Sequence, residues 1–450
     1  MANVAVLLVA GLDLGLIERH PELGISKLFK TRGVMKPVTP AVTCTVQATL
    51  TTGVLPEAHG IISNGLYSQR DPTVLANLDL SNFAAFRKQV SFWEQSNKLL
   101  QAPRFWGGSG KKVAMLFWQQ SMHGAAEVVL TPKPEHTPDG KTLTTCWSNP
   151  PGLYGQLIEK FGPFPLHKYW GPMAGWESSD WILKATRHVG REGGVDLLLS
   201  YIPLLDYNLQ RFGPMSEQVS ADLRTLDGPL CEAVTDLRAA GYDVIVCGDY
   251  GITAVSDAIC PNLALRQAGL LTTVSDANGK QLIDYDNSAA MAMVDHQIAH
   301  VYVKEGMRDR VLAEVGGLRG VGLVLATPGA KKAHGLDSPR SGDIVLLAKS
   351  DAWFAHDWWL GDAEKPAWQM SVDIHRKPGY DPRELFFDPV HKRIAQETGR
   401  VRGSHGVVGT HHGTWPVVLG DGIAFDASGA MEMTALAGLL KERMSNANPI

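Results

Sequence analysis

Unbroken apolar runs alternate along this chain with stretches whose apolar residues recur at helical spacing. Val4 to Ala10, Val113 to Trp118 (VAMLFW), Asp196 to Ile202 (DLLLSYI) and Tyr242 to Cys247 (YDVIVC) are short and continuous. Runs of that kind, without polar alternation, predict strands covered on both faces, as in a parallel sheet. Ser216 to Ala240 has helical spacing and stops at Gly241, and Thr43 to Thr52 holds few helix breakers. The alternation of strand and helix predicts an α/β protein with helices on both faces of a doubly wound, mainly parallel sheet.

From about Leu270 the pattern changes. LLTTV, AMAMVDHQIAHVYV and VGLVLA read as strands, with one helical stretch, Met307 to Val315, among them. This predicts a small α+β cap over residues 269–340, inserted between a first core segment, 1–268, and a second, 341–450. The second segment is expected to open near Ser341-Gly342-Asp343 with the strand IVLLA. Asp351 to Asp388, rich in Trp, Pro and charge, reads as a long ordered loop at the mouth of a site. The chain has no internal repeat and no low-complexity tract.

Composition narrows the class. The 450 residues are long for one simple domain, and 42 basic against 46 acidic residues leave a net charge of −4 with no basic block. Nothing here points to a nucleic-acid polymer or a membrane surface as partner. A phosphorylated small molecule remains compatible, because a metal centre can supply local positive charge. Cys44, Cys146, Cys231, Cys247 and Cys260 have neither zinc-ribbon nor disulfide spacing. MANVAVLLVAG lacks a basic leader, and its apolar run is too short to span a bilayer. The expectation is a cytoplasmic protein with reduced thiols.

Chemistry-bearing residues fall where the predicted strands end. Val4 to Ala10 leads into Gly11-Leu12-Asp13, placing a carboxylate at a strand tip. Thr39 to Asn64, TPAVTCTVQATLTTGVLPEAHGIISN, joins a hydroxyl-bearing turn to a Thr-Gly helix end and a His-Gly turn. Asp206 and Asp249 each follow an apolar strand. Ligands bind at the carboxyl edge of such sheets. A hydroxyl at a helix start near a metal-binding carboxylate is what a metal-activated nucleophile requires.

The pattern resembles the alkaline phosphatase superfamily, most closely its nucleotide pyrophosphatase/phosphodiesterase and phosphonoacetate hydrolase branches. The resemblance implies a nucleophile at Thr43, in the helix running to Thr52-Gly53. It also implies a phosphoryl-binding Asn64 after His59-Gly60-Ile61. One metal would take Asp13, Thr43, Asp249 and the next residue, where the family's His is here Tyr250. The other would take Asp206, a residue four further on, where His is here Gln210, and His405 of Gly403-Ser404-His405-Gly406. Two divalent ions are implied, zinc first, with a shift towards manganese or magnesium as oxygen replaces nitrogen. Alternatively another histidine fills a gap: His296 in VDHQIAH, His375 in DIHRKPGYD, or His411-His412. The amide of Cys44 and the side chain of Lys377 are further candidates for holding substrate oxygens. The implied activity is hydrolysis of phosphodiesters or nucleotide pyrophosphates. A carbon–phosphorus hydrolase, a phosphosugar mutase, or a degenerate binding protein on the same fold stand as alternatives. The oligomeric state is not readable from the sequence.

Overall fold

The computed structural model describes residues 3–71, 89–124, 126–136, 142–143, 145–374 and 376–445, so His375 lies outside the described residues. Its centre is a nine-stranded sheet. The strands are β1 (Asn3–Val9), β2 (Arg32–Lys36), β3 (Val113–Leu116), β4 (Val128–Pro132), β5 (Cys146–Asn149), β6 (Leu197–Ile202) and β7 (Tyr242–Gly248). Four strands of the inserted cap are β8 (Ala290–Asp295), β9 (Ile298–Val303), β10 (Val321–Leu325) and β11 (Ile344–Ala348). Two final core strands are β12 (Val417–Leu419) and β13 (Ala430–Glu432).

The central order is β13-β2-β12-β7-β1-β6-β3-β4-β5. From β7 to β4 all pairings are parallel, with Val4 opposite Leu197 on one side and Asp243 on the other. Val4 to Val9 are fully buried, which explains why the run needs no polar alternation. Helices complete the doubly wound core: α1 (Leu14–Arg19), α2 (Thr43–Thr52), α3 (Trp176–Glu192), α4 (Leu204–Phe212), α5 (Glu217–Ala239) and α6 (Ala435–Ser445). Helix α3 packs with α5 against β6 and β7, while α6 packs against α2 and β1.

The cap is a four-stranded sheet in the order β8-β9-β11-β10. This corrects one expectation. The strand IVLLA does not open the second core segment; it pairs antiparallel with β9, Ile344 opposite Val301, and with β10. All five of its residues are buried, and a fully buried run looks the same in the sequence whichever sheet receives it. The chain rejoins the central sheet only at β12.

Two apolar clusters meet at α2. Val46 and Leu50 belong to the core beneath the central sheet, whereas Cys44 and Ala48 belong to the cluster under the cap. The start of α2 is therefore held between both bodies. The end of β7 is pinned as tightly: a β-carbon on Gly248 would lie 2.0 Å from the Leu12 carbonyl oxygen. Gly248→Ala is therefore expected to force the β1 and β7 tips apart. The loss should be roughly 1–3 kcal/mol, read as a lower melting temperature. A variant that melts like the wild type would refute this packing.

No helix among the described residues is long and apolar enough to cross a membrane, and all five cysteines are free.

Candidate active site

Three strand tips each carry a buried carboxylate. Asp13, after β1, caps α1 by accepting from the Leu16 amide at 2.7 Å through Oδ1. Asp249, after β7, accepts through Oδ1 from the Gly11 amide at 2.9 Å and the Tyr250 amide at 3.0 Å. Its Oδ2 is buried and has no hydrogen-bond partner. Asp206 lies in the first turn of α4, with Oδ1 accepting from the Tyr250 hydroxyl at 3.2 Å and Oδ2 from Gln210 Nε2 at 2.7 Å.

Thr43 is the first residue of α2 and is 3% exposed. Its Oγ1 lies 3.1 Å from the Tyr250 hydroxyl. The residue before it, Val42, offers no side-chain cap, so a donor at the helix start must find a partner elsewhere. Asn64 does this from a distant turn: its Oδ1 accepts from the Cys44 amide at 2.8 Å. The Cys44 N–H, expected to hold a substrate oxygen, is thus already engaged. His59 stabilises the turn that carries Asn64, with Nε2 3.0 Å from Thr49 Oγ1 and Nδ1 accepting from the Ile61 amide at 3.1 Å. Burial, first, pulls its pKa down to about 3, so the ring is neutral.

The cap closes the site with residues from the β8–β9 hairpin. Asp295 accepts from Ser63 Oγ at 2.7 Å, from the Asn64 amide at 2.8 Å and from Asn64 Nδ2 at 3.2 Å. Its other neighbour is His296 Nδ1, at 2.7 Å. Burial pushes the Asp295 carboxyl up, but His296 and the Ser63 and Asn64 donors outweigh it and hold the pKa below the ordinary value. The His296 ring stacks on Tyr380 at 3.7 Å between centroids and lies 3.8 Å from the His405 ring. His405 in turn stacks on Tyr250 at 3.6 Å, and its Nε2 is 3.8 Å from Asp206 Oδ1. The sequence carried one signal for Asp295, an Asp-His pair between two strand-like runs, but nothing that tied it to Asn64.

Other candidates are placed away from this cluster or are consumed. Lys377 Nζ is spent on Glu384 at 2.6 Å, Asp381 at 3.0 Å and the Ser371 carbonyl at 3.2 Å, leaving no donor for substrate. This corrects its reading as a substrate-binding cation. His411 is exposed and His412 packs on Trp415. Gln210 keeps its carbonyl oxygen occupied as well, because the Tyr380 hydroxyl donates to Oε1 at 2.9 Å.

Comparison with protein families matches residues 4–381 to type I phosphodiesterase / nucleotide pyrophosphatase. The chain belongs to this family. It is a phosphoric ester hydrolase of the alkaline phosphatase superfamily. Among solved structures it is similar to murine ectonucleotide pyrophosphatase / phosphodiesterase 5, an inactive variant in complex with AMP. That match has 15% identity and a TM-score of 0.60, over 100% of this chain and 96% of that one. It is also similar to phosphonoacetate hydrolase from Sinorhizobium meliloti 1021 in complex with phosphonoformate. There the identity is 13% and the TM-score 0.61, over 99% and 96% of the two chains. At these identities the likeness is one of fold. Comparison with curated protein sequences finds no match.

The family is generally metal-dependent, and the donors here can be tested against that. Among the described residues, no group of three His, Cys, Asp or Glu side chains is placed to hold a metal ion. Unpartnered donors are present instead: Asp249 Oδ2, His296 Nε2 and His405 Nε2 are all buried without hydrogen bonds. Such atoms are costly unless something meets them. Burial also pushes the Asp13 carboxyl up to about 7 and Asp206 up to about 6, and raises Asp249 well above its ordinary value. Burial first, then His296, depresses His405. Buried carboxylates beside unpartnered ring nitrogens suit a divalent cation, so the donor chemistry fits.

Proposed function

We propose that the chain hydrolyses phosphodiesters or nucleotide pyrophosphates, with Thr43 as nucleophile and divalent metal ions at the carboxylate cluster. One observation carries this reading. Thr43 Oγ1 opens a helix and, through the Tyr250 hydroxyl, joins a hydrogen-bonded line to a strand-tip carboxylate, 3.1 Å and then 3.2 Å. Since Tyr250 donates to Asp206, the Thr43 hydroxyl donates to Tyr250. The proton released as Oγ1 attacks phosphorus therefore has a path toward Asp206.

Asp13, Asp249, Thr43 and Tyr250 would supply oxygen donors, and Asp206 and His405 a second set containing nitrogen. A bound divalent cation there would lower the pKa of the hydroxyl and neutralise developing charge. Asn64 Nδ2 gives one N–H to Asp295 and keeps a second for a non-bridging phosphoryl oxygen. Attack breaks the bond from phosphorus to the leaving oxygen and leaves the phosphoryl group on Thr43. Water then cleaves that ester and restores the hydroxyl.

The test is a comparison of bis(p-nitrophenyl) phosphate, p-nitrophenyl phosphate and phosphonoacetate as substrates of the metal-loaded protein. The diester is expected to turn over fastest. A clear preference for the monoester or the phosphonate would overturn the substrate assignment.

A further inference from the structure

We infer that Asp295, at the tip of the cap's β8–β9 hairpin, acts on the reaction through Asn64. Its carboxylate fixes which way the Asn64 amide faces, and so aims the N–H kept for a phosphoryl oxygen. Asp295 is a positioning residue and touches no substrate. The inference deepens the hydrolytic reading above and rests on it.

An ionised carboxylate only accepts hydrogen bonds, and its two oxygens offer about four sites. Asp295 is fully buried, and its sites are taken. Oδ2 accepts from Ser63 Oγ at 2.7 Å and from the Asn64 amide at 2.8 Å. Oδ1 accepts from Asn64 Nδ2 at 3.2 Å and from His296 Nδ1 at 2.7 Å. Asn64 is therefore held twice, by its backbone and by its side chain. A carboxylate that merely fastened cap to core could do so through Ser63 and the Asn64 backbone. The bond to Nδ2 is the one that reaches the chemistry.

The other end of the amide is fixed by the core. Asn64 Oδ1 accepts at 2.8 Å from the amide of Cys44, the residue after Thr43. The two ends of a primary amide are alike in shape, so its neighbours decide which end is oxygen. Here a donor stands at one end and a carboxylate at the other. A flipped amide would set Nδ2 against the Cys44 N–H and Oδ1 against the carboxylate, two repulsions in place of two bonds. The orientation is thus dictated jointly by α2 and by the cap. Without Asp295, the bond to Cys44 alone would hold the side chain.

The cap grips the same turn at a further point. His300, on β9, is fully buried, and its Nδ1 accepts from the Gly342 amide at 3.2 Å. That donor fixes the tautomer, so Nε2 carries the proton and donates to the Ile62 carbonyl oxygen at 3.2 Å. The hairpin tip is tied down as well. The Phe354 amide donates to the His296 carbonyl oxygen at 2.7 Å, and the Gln297 amide to that of His405 at 3.0 Å. Asp295 therefore sits on a fixed mount, as a group that orients another must.

The experiment measures kcat and KM for bis(p-nitrophenyl) phosphate on the metal-loaded, full-length protein. Asp295→Asn and Asp295→Ser are made in the wild type and again beside Asn64→Ala, and thermal melts identify the folded variants. Asn64→Ala alone should lower kcat about a hundredfold or more, as loss of an oxyanion donor does. Each Asp295 variant alone should lower kcat roughly tenfold or more, with KM within about threefold of wild type. Beside Asn64→Ala the same substitution should cost less than about twofold further, because the group it acts through is gone. A fastening role predicts the same loss in both backgrounds. Equal losses, or an unchanged kcat in a folded Asp295 variant, overturn the inference while the hydrolytic reading stands. If Asn64→Ala itself changes nothing, the role given to Asn64 falls and this inference with it. A crystal structure of the wild type with orthovanadate needs no variant to fold. Asn64 Nδ2 should lie within hydrogen-bond distance of both Asp295 Oδ1 and a vanadate oxygen. An Asn64 amide turned away from vanadate, or bonded to it without Asp295, overturns the inference.

Discussion

Thr43→Ala is expected to lower turnover on the order of a thousandfold or more, with substrate binding and melting temperature close to wild type. In the proposed reaction the hydroxyl attacks phosphorus, so its loss removes an interaction made during the reaction. Alanine is a better helix former than threonine at the start of α2. Tyr250 keeps its bond to Asp206 when Thr43 Oγ1 is gone. Steady-state kinetics on a diester, paired with a thermal melt, check both halves. Near-wild-type turnover in a clean preparation would remove Thr43 from the chemistry.

Lys377→Ala should give the largest loss of stability. Its ammonium is buried between Asp381 and Glu384, and Asp381 also pairs with Arg383 at 2.7 Å. Removing one partner from a buried, hydrogen-bonded ionic network costs ~3–5 kcal/mol, because the charge left behind is uncompensated. Burial pushes the Asp381 carboxyl up, but Arg383 first and then Lys377 more than offset this, and its pKa lies well below the ordinary carboxylate value. A depressed carboxylate contributes stability that is present above its unfolded pKa and lost as pH falls through the folded value. The deficit of the variant should therefore persist from neutral pH down to about 4 and shrink only below that. Thermal or urea melts at pH 7 and in acid measure it. A deficit absent at pH 7 would mean the network is not load-carrying for the fold.

The strand tips were legible because apolar runs ending in a carboxylate mark the carboxyl edge of a parallel sheet, as Asp13, Asp206 and Asp249 each do. The start of α2 was legible from Thr43 and the Thr-Gly stop at Gly53, which adopts φ +74°. Contacts across the cap were not. Asn64 meets Asp295 over 231 residues of separation, and no local pattern encodes such a pairing. The cationic look of the Lys377 segment pointed outward to substrate. Two acidic neighbours turn it inward instead, an outcome decided by packing. The strand Ile344–Ala348 shows the same limit: burial was readable, the sheet receiving it was not.

The central claim is that phosphorus is transferred to Thr43 before water takes it. Rapid quenching of the metal-loaded protein during turnover of a diester, followed by peptide mass spectrometry, tests this directly. The account predicts that the peptide containing Thr43 carries the substrate's phosphoryl group transiently, and that Thr43→Ala carries none. Steady turnover with no label on Thr43 at any quench time, or with label on another residue, would contradict it.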